Sequence, residues 1–373
     1  MNYCKSCLFP DTKPDLTFNQ DGVCDACISI EEKITLSDDY YKEQELFLKN
    51  IFKKHRSKKA IYDCVVPVSG GKDSTYQLYV VKNIYKLKPL CVTFDQFDQT
   101  DVGLSNLKSM QSIGVDHIHF TLNPNVLKKL VLKGLETVGD PYWVNHVGMF
   151  TIPFRVANQF KIPLVIYGEN PQFEYGGPKF SKKNYIMNKR WRQEFGGMRG
   201  LREEDMIDQE ISKDDLKILE FPNENELKKN NILGIFLGQF IKWDVQKQLK
   251  IIKKFGWQEL KEAPKGSWLK YENCDMQYID IREYIKYLKF GYGRSNDQLS
   301  IALRHNLISR KKAIKILEKT DGKFSNSNLI KFCKYLNITQ KEFYEIINSF
   351  VNKNLFYRNN KKKWVLKNKI IGK

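Results

Sequence analysis

Four of the eight cysteines fall in the first 27 residues, as Cys4-x2-Cys7-x16-Cys24-x2-Cys27. Two such pairs, each presented by a tight turn, form the donor set of a four-coordinate ion. Sulfur ligands in a closed tetrahedral cage suit Zn2+, and with no position left open the metal is expected to be structural. Free thiols, disulfides and redox chemistry by the pairs are the alternatives. A second group is Ser69-Gly70-Gly71-Lys72-Asp73-Ser74. Adjacent glycines let a backbone approach phosphate oxygens, successive N–H groups make an anion nest, and a following helix adds the positive end of its dipole. Ser69 and Ser74 can donate hydroxyl hydrogen bonds, Lys72 can neutralise phosphate charge, and Asp73 can hold Mg2+ directly or through water. The spacing is not that of the kinase and GTPase P-loop, which requires G-x4-G-K-[ST].

These residues need a scaffold, and the surrounding sequence supplies one. Ala60 to Val68 is a short apolar run that reads as a strand, and Ser74 to Lys86 carries helical spacing of Tyr76, Leu78, Val80, Val81 and Ile84. The alternation continues with a strand over Pro89–Phe94, a helix from Val102 to Ile113, a strand over His117–Thr121, a helix after Pro124 and a strand over Pro163–Tyr167. Repeated units of this kind predict an α/β fold with a doubly wound parallel sheet, whose ligands sit beyond the carboxyl ends of the strands. The expected organisation is a zinc-binding module over 1–35, a helical connector over 36–59, an α/β domain carrying the glycine loop over 60–260, and a mainly helical C-terminal portion over 261–373. Within the α/β domain, residues 171–200 are rich in glycine, aromatic and basic residues without periodicity, and read as an insertion or lid.

Bulk composition narrows the class. The chain has 373 residues, 42% hydrophobic and 28% charged, a profile that excludes disorder and collagen-like or disulfide-miniprotein architectures. No apolar run is long enough to cross a bilayer, and the N-terminus lacks the basic-then-apolar pattern of a secretory signal, so a cytoplasmic protein with reduced thiols is expected. The net charge of +19 would suit a polyanion. However, 51 of the 62 basic residues are lysines scattered along the whole chain, and the terminal run at Lys361, Lys362 and Lys363 reads first as a solvated tail rather than a nucleic-acid interface.

The loop VPVSGGKDS resembles the pyrophosphate-binding loop of the PP-loop (HUP-like) ATP pyrophosphatases, a superfamily that includes GMP synthetase, argininosuccinate synthetase and tRNA thiolases. Within it the chain is similar over nearly its whole length to the N-acetyl sugar amidotransferases of the WbpG and PseA type. The similarity rests on CKSCLFPDTKP at 4–14, GVCDAC at 22–27, SGGKDS at 69–74, GENPQFEYGG at 168–177, KFGYGR at 289–294 and ISRKKA at 308–313. The resemblance implies that ATP adenylates the amide oxygen of an N-acetyl sugar, that ammonia displaces AMP, and that an acetamido group becomes acetamidino, in bacterial surface polysaccharide or pseudaminic and legionaminic acid biosynthesis. The implied cofactors are ATP, Mg2+ and structural Zn2+.

A class II glutaminase needs Cys directly after the initiator Met, whereas position 2 is Asn. The resemblance therefore implies a separate ammonia source, a glutaminase and cyclase pair like that of histidine biosynthesis. Beyond the loop, Asp95, Lys289 and Arg294 are candidates for contacts to ATP. Lys72, Asp73, Glu169 and Glu174 are the candidate catalytic residues, with Asn170 beside them; the two glutamates could bind Mg2+ or take a proton from attacking ammonia. His146 and Trp143 could meet a sugar or simply pack together, and Arg190, Trp191 and Arg199 are candidates for the lid. The competing enzyme reading is a tRNA thiolase, which would need a catalytic cysteine pair, such as Cys64 and Cys91, or an iron-sulfur site near the loop. The non-enzymatic reading is a zinc-bearing module that uses ATP as a structural ligand.

Overall fold

The computed structural model of the chain describes residues 1–34, 36–56, 60–168 and 184–370. The expected alternation of strands and helices builds β1 (Cys64–Pro67), β2 (Pro89–Phe94), β3 (Asp116–Phe120) and β4 (Leu164–Tyr167), followed by β5 (Ile186–Met187) and β6 (Leu233–Phe236). They form one sheet in the order β3-β2-β1-β4-β6-β5, parallel throughout except for β5, which pairs antiparallel with β6. The chain grows outward from β1 to β3 and then crosses to β4 on the other side of β1. The gap above β1 and β4 is thus the point where strand order reverses, the place where such sheets bind ligands.

Strands β1, β2 and β4 are apolar because both faces are covered. Alternation sends Val65, Leu90 and Val92 into a core with Leu127, Leu130, Val144 and Val147, from helices Pro124–Val138 and Trp143–Phe160. It sends Cys64, Val66, Cys91, Leu164 and Ile166 to the opposite core, which holds Leu48, Tyr76, Leu78, Leu107 and Leu249. Those five come from helices Asp38–His55, Lys72–Tyr79, Asp101–Ser109 and Val245–Ile252. Local signals set the helix ends: the side chain of Asn123 caps the helix that Pro124 opens, and Gly139 closes it in the left-handed region.

Two further stretches complete the sheet. The apolar run near Ile232, with no alternation to mark it, supplies β6, a buried interior strand. Residues 184–200, read as part of a lid, contain β5 and the helix Lys189–Phe195, and Trp191, Arg192 and Met198 are buried. Trp191 packs on Phe150 and Phe236, so this stretch closes the sheet edge rather than covering the site.

The C-terminal portion holds helices Ile279–Phe290, Arg294–Arg304, Arg310–Thr320, Asn326–Leu336 and Gln340–Ser349, followed by an antiparallel pair, β7 (Phe356–Arg358) and β8 (Trp364–Leu366). The N-terminal segment folds back onto it: Leu8 is buried among Leu299, Ala313, Ile314 and Leu317. Among the described residues, no helix is long and apolar enough to cross a membrane.

Candidate functional site

The Ser69–Ser74 loop leaves the carboxyl end of β1 and becomes the first turn of the helix Lys72–Tyr79, with Gly71 at its N-cap. No side chain caps this helix, so its first N–H groups face the loop. Gly70 takes φ +89°, a conformation that side-chain-bearing residues rarely adopt. The loop is braced from behind. Ser69 N donates to Ser74 Oγ at 3.2 Å, and Ser74 Oγ donates to the Gly71 carbonyl at 3.1 Å. The Gly70 carbonyl accepts from Asn106 Nδ2 at 3.1 Å and from Trp257 Nε1 at 3.0 Å. A backbone shaped and held this way, with nothing larger than hydrogen on Gly70 and Gly71, fits a diphosphate group.

Two charges stand at its mouth. Lys72, largely buried, donates Nζ to Asp73 Oδ2 at 2.7 Å, and Trp243 Nε1 donates to the other Asp73 oxygen at 3.3 Å. The Asp73 side chain is 43% exposed, open enough to meet a hydrated cation, whereas that of Lys72 is 8% exposed.

Sequence reasoning missed the residues that complete this wall. Gln99 donates Nε2 to the Ser69 carbonyl at 3.2 Å, and Gln96 donates to Asp275 Oδ2 at 3.3 Å. Asp275, far away in sequence, lies with its carboxylate beside Ser69 and Gly71. Burial raises its pKa, and the neighbouring charge of Asp73 acts in the same direction. Glu272 is gripped by Arg294 at 2.5 Å and Gln298 at 3.1 Å. Burial would raise the pKa of Glu272, but the charges of Arg294 and then Lys72 hold it below its ordinary value. Gln96 and Gln99 follow β2, and their position beyond a strand end was the available signal. Nothing in Tyr271–Met276 announces a partner 200 residues earlier.

The other expected site residues divide. Arg294 opens its helix and touches the loop's surroundings through Glu272, one residue removed from Lys72. Lys289 is placed elsewhere: its Nζ donates to the Val138 carbonyl at 2.5 Å and lies over the rings of Phe290 and Phe350, so it serves the packing between helices. Asp95 turns toward β3, accepting from Thr121 Oγ1 at 3.1 Å and pairing with His119 at 3.3 Å. Among the described residues, neither side chain has a hydrogen bond or ion pair with the loop. Glu169, Asn170 and Glu174 lie outside the described residues.

Trp143 is fully buried and donates to the Met198 carbonyl at 3.0 Å, a packing role. His146 is pushed down to about 3, chiefly by burial and then by Arg282, and is neutral at ordinary pH. Arg190 pairs with Glu194 in its own helix, and Arg199 pairs with buried Asp140. The lid assignment of Arg190, Trp191 and Arg199 gives way to these structural contacts.

At the N-terminus all four cysteines are buried and their sulfurs lie within 4.8 Å of one another. Cys4 and Cys27 are 3.9 Å apart and Cys7 and Cys24 3.7 Å, against about 3.8 Å for sulfurs placed tetrahedrally about one ion with bonds of ~2.3 Å. The donor set therefore fits a single ion. Backbone N–H groups of Cys7, Phe9 and Cys24 point at the sulfurs, which stabilises thiolate charge.

The remaining cysteines offer no thiolate near the loop. Cys64 and Cys91 are buried in β1 and β2. Burial raises the pKa of Cys64 well above the ordinary thiol value and pushes Cys91 up to about 12. Cys274 is likewise pushed up to about 12 by burial, and Cys333 packs in a core.

Comparison with known proteins adds four likenesses. An uncharacterized protein of Methanocaldococcus jannaschii, MJ1599, is 33% identical over 93 residues, which are 25% of this chain and 32% of that protein; the match thus spans about a third of the relative's length. Among solved structures, the U34-tRNA thiolase NcsA from Methanococcus maripaludis with its [4Fe-4S] cluster is 14% identical, covering 89% of this chain and 95% of that one at a TM-score of 0.31. NAD+ synthetase from Burkholderia pseudomallei is 15% identical, covering 64% and 95% at a TM-score of 0.27. Residues 250–370 match the family model described as LPS biosynthesis protein WbpG-like, C-terminal domain. That stretch, which contains Glu272, Asp275 and Arg294 against the glycine loop or next to its lysine, is therefore similar to the C-terminal domain of the WbpG-like proteins.

Proposed function

We propose that the protein is an AMP-forming amidotransferase that converts the acetamido group of an N-acetyl sugar into an acetamidino group, in the making of a bacterial surface polysaccharide or nonulosonic acid. The observation that carries this reading is the glycine loop at the end of β1, braced for a diphosphate and walled by a WbpG-like C-terminal domain. Ser69, Gly70, Gly71 and Ser74 would hold the β and γ phosphates of ATP, Lys72 would neutralise them, and Asp73 would take Mg2+. The amide oxygen of the sugar attacks the α phosphorus, the α–β phosphoanhydride bond breaks, and pyrophosphate leaves. Ammonia then attacks the imidate carbon, gives up a proton, and the C–O bond breaks to release AMP. Glu169 and Glu174 are proposed for that proton. Asp95 and Lys289 are left out because their contacts lie elsewhere.

The Cys4 cluster is proposed to bind structural Zn2+, and the ammonia to come from a separate glutaminase with a cyclase-like partner. Thiolation is the weaker reading, since Cys64, Cys91 and Cys274 are buried thiols with raised pKa values.

The test is incubation of purified protein with ATP, Mg2+, ammonium and a panel of N-acetyl sugars, free and nucleotide-linked. AMP, pyrophosphate and a sugar whose mass has changed by exchange of O for NH, in equal amounts, are expected. Lys72→Met and Asp73→Asn should each lower turnover by roughly a hundredfold or more while the protein stays folded. Sugar-independent AMP, or no AMP even with a glutaminase partner present, would overturn the reading.

A further inference from the structure

Asp275 is an unexpected neighbour for a phosphate loop. The nest, the helix start and Lys72 all favour negative charge, yet a carboxylate stands beside them. Its oxygens lie 3.8 and 3.9 Å from the point where a Cβ on Gly71 would be, and it takes a hydrogen bond from the Ser69 hydroxyl. It is held there from several sides. Gln96 donates to it, its backbone carbonyl accepts from Thr100 N at 3.3 Å, and the Thr100 hydroxyl donates to the Cys274 carbonyl. Met276 bridges to Gln99. Gly103 is needed for this approach, because a Cβ there would stand 2.7 Å from Asp275 Cα.

A residue fixed so firmly and 7% exposed cannot swing away when an anion arrives. Like charges at close range in a partly buried site repel by amounts that matter for binding. A loop that gathers so many positive groups around pyrophosphate has the converse difficulty, since a tightly held product slows every later turn of the cycle.

We propose that Asp275 sets the loop's affinity for pyrophosphate downward, its fixed negative charge opposing the Lys72 and backbone N–H field so that the product is released. The inference rests on the reading of Ser69–Ser74 as a diphosphate site and gives the C-terminal domain a direct part in it.

The experiment is calorimetric titration of wild type and Asp275→Asn with magnesium pyrophosphate. Asn keeps the shape and one acceptor oxygen while it removes the charge. The variant is expected to bind roughly tenfold tighter, with turnover more readily inhibited by added pyrophosphate. A packing role would predict the opposite, because a disturbed wall loosens the loop. Equal or weaker binding by the variant overturns the proposal; weakening seen only with Mg2+ present would make Asp275 a cation ligand instead. Should Asp275→Asn fold poorly, Asp275→Ser removes the same charge and carries the same expectation. Wild-type protein that binds no pyrophosphate would sink the diphosphate reading itself, an outcome distinct from wild type and variant binding alike.

Discussion

Gly70 and Gly103 meet backbone to backbone: a Cβ on Gly70 would stand 2.4 Å from the carbonyl oxygen of Gly103. Gly103 lies in the first turn of the helix Asp101–Ser109, which follows β2, so the glycine loop is pressed against its neighbouring βα unit with no layer of side chains between them.

Gly70→Ala therefore faces both an unfavourable φ of +89° and a backbone atom that cannot move aside. The strained conformation alone costs about 1–3 kcal/mol, and the clash adds to it. Nucleotide binding should be lost while the metal content of the N-terminal module is unchanged. Calorimetry with ATP beside metal analysis checks this; an Ala variant that binds ATP like wild type would remove the close approach from the account of the loop.

How much of this could be read in advance depended on the range of the interaction. Val65 and Leu90 reveal their strands through local apolar runs, and Ser69–Ser74 stands out as the proposed phosphate loop because its chemistry is contained in six consecutive residues. The cysteine cluster is legible for the same reason, two short motifs with a recognisable spacing. Asp275 and Glu272 were invisible, since their meaning comes from packing against residues about 200 positions earlier, and no periodicity encodes that. Lys289 and Asp95 illustrate the converse case. Each has the right charge and sits near a suggestive motif or strand end, but side-chain direction sends one to the Val138 carbonyl and the other to Thr121 and His119.

Loss of the metal proposed for the four-cysteine cluster should be felt at the far end of the chain. Leu8, between the two cysteine pairs, is buried against helices Arg294–Arg304 and Arg310–Thr320, Arg310 donates to the Cys7 carbonyl, and Arg304 stacks on Phe9. Cys24→Ser or chelation is expected to lower the melting temperature and to expose amides of residues 294–320 to hydrogen exchange. Exchange changes confined to residues 1–30 would show the module to be energetically separate.

Asp140 joins the sheet domain to the C-terminal helices. It accepts from Arg282 Nε at 2.9 Å and Nη2 at 3.0 Å, and from Arg199 Nε at 3.2 Å. Burial alone would raise its pKa, but the two guanidinium groups hold it well below the usual carboxylate range. Removing Arg282 by Arg282→Ala strands a buried carboxylate and should cost about 3–5 kcal/mol, whereas Arg199→Ala, at a side chain 42% exposed, should cost about 1 kcal/mol or less. Urea unfolding of the two variants tests the ranking, and equal losses would refute it.

Asp98 gives stability the opposite pH dependence from that of a salt-bridged carboxylate. It is buried beyond β2, accepting from the Tyr142 hydroxyl and, at 2.8 Å, from Tyr278 N, while its Oδ1 has no partner among the described residues. Burial pushes its pKa up from 3.8 to about 7, with the two hydrogen bonds only partly opposing the rise. The folded state thus holds a proton that the unfolded chain releases above about pH 4, so this group's contribution declines as pH rises from 4 to 7 and then levels off. Relative to Asp98→Asn, which cannot ionise, wild type should lose about 3 kcal/mol of stability between pH 5 and pH 8. Urea unfolding at the two pH values measures it. Parallel profiles for the two proteins would mean that Asp98 is not protonated in the fold, and that its carboxylate finds compensation in contacts other than Tyr142 and Tyr278.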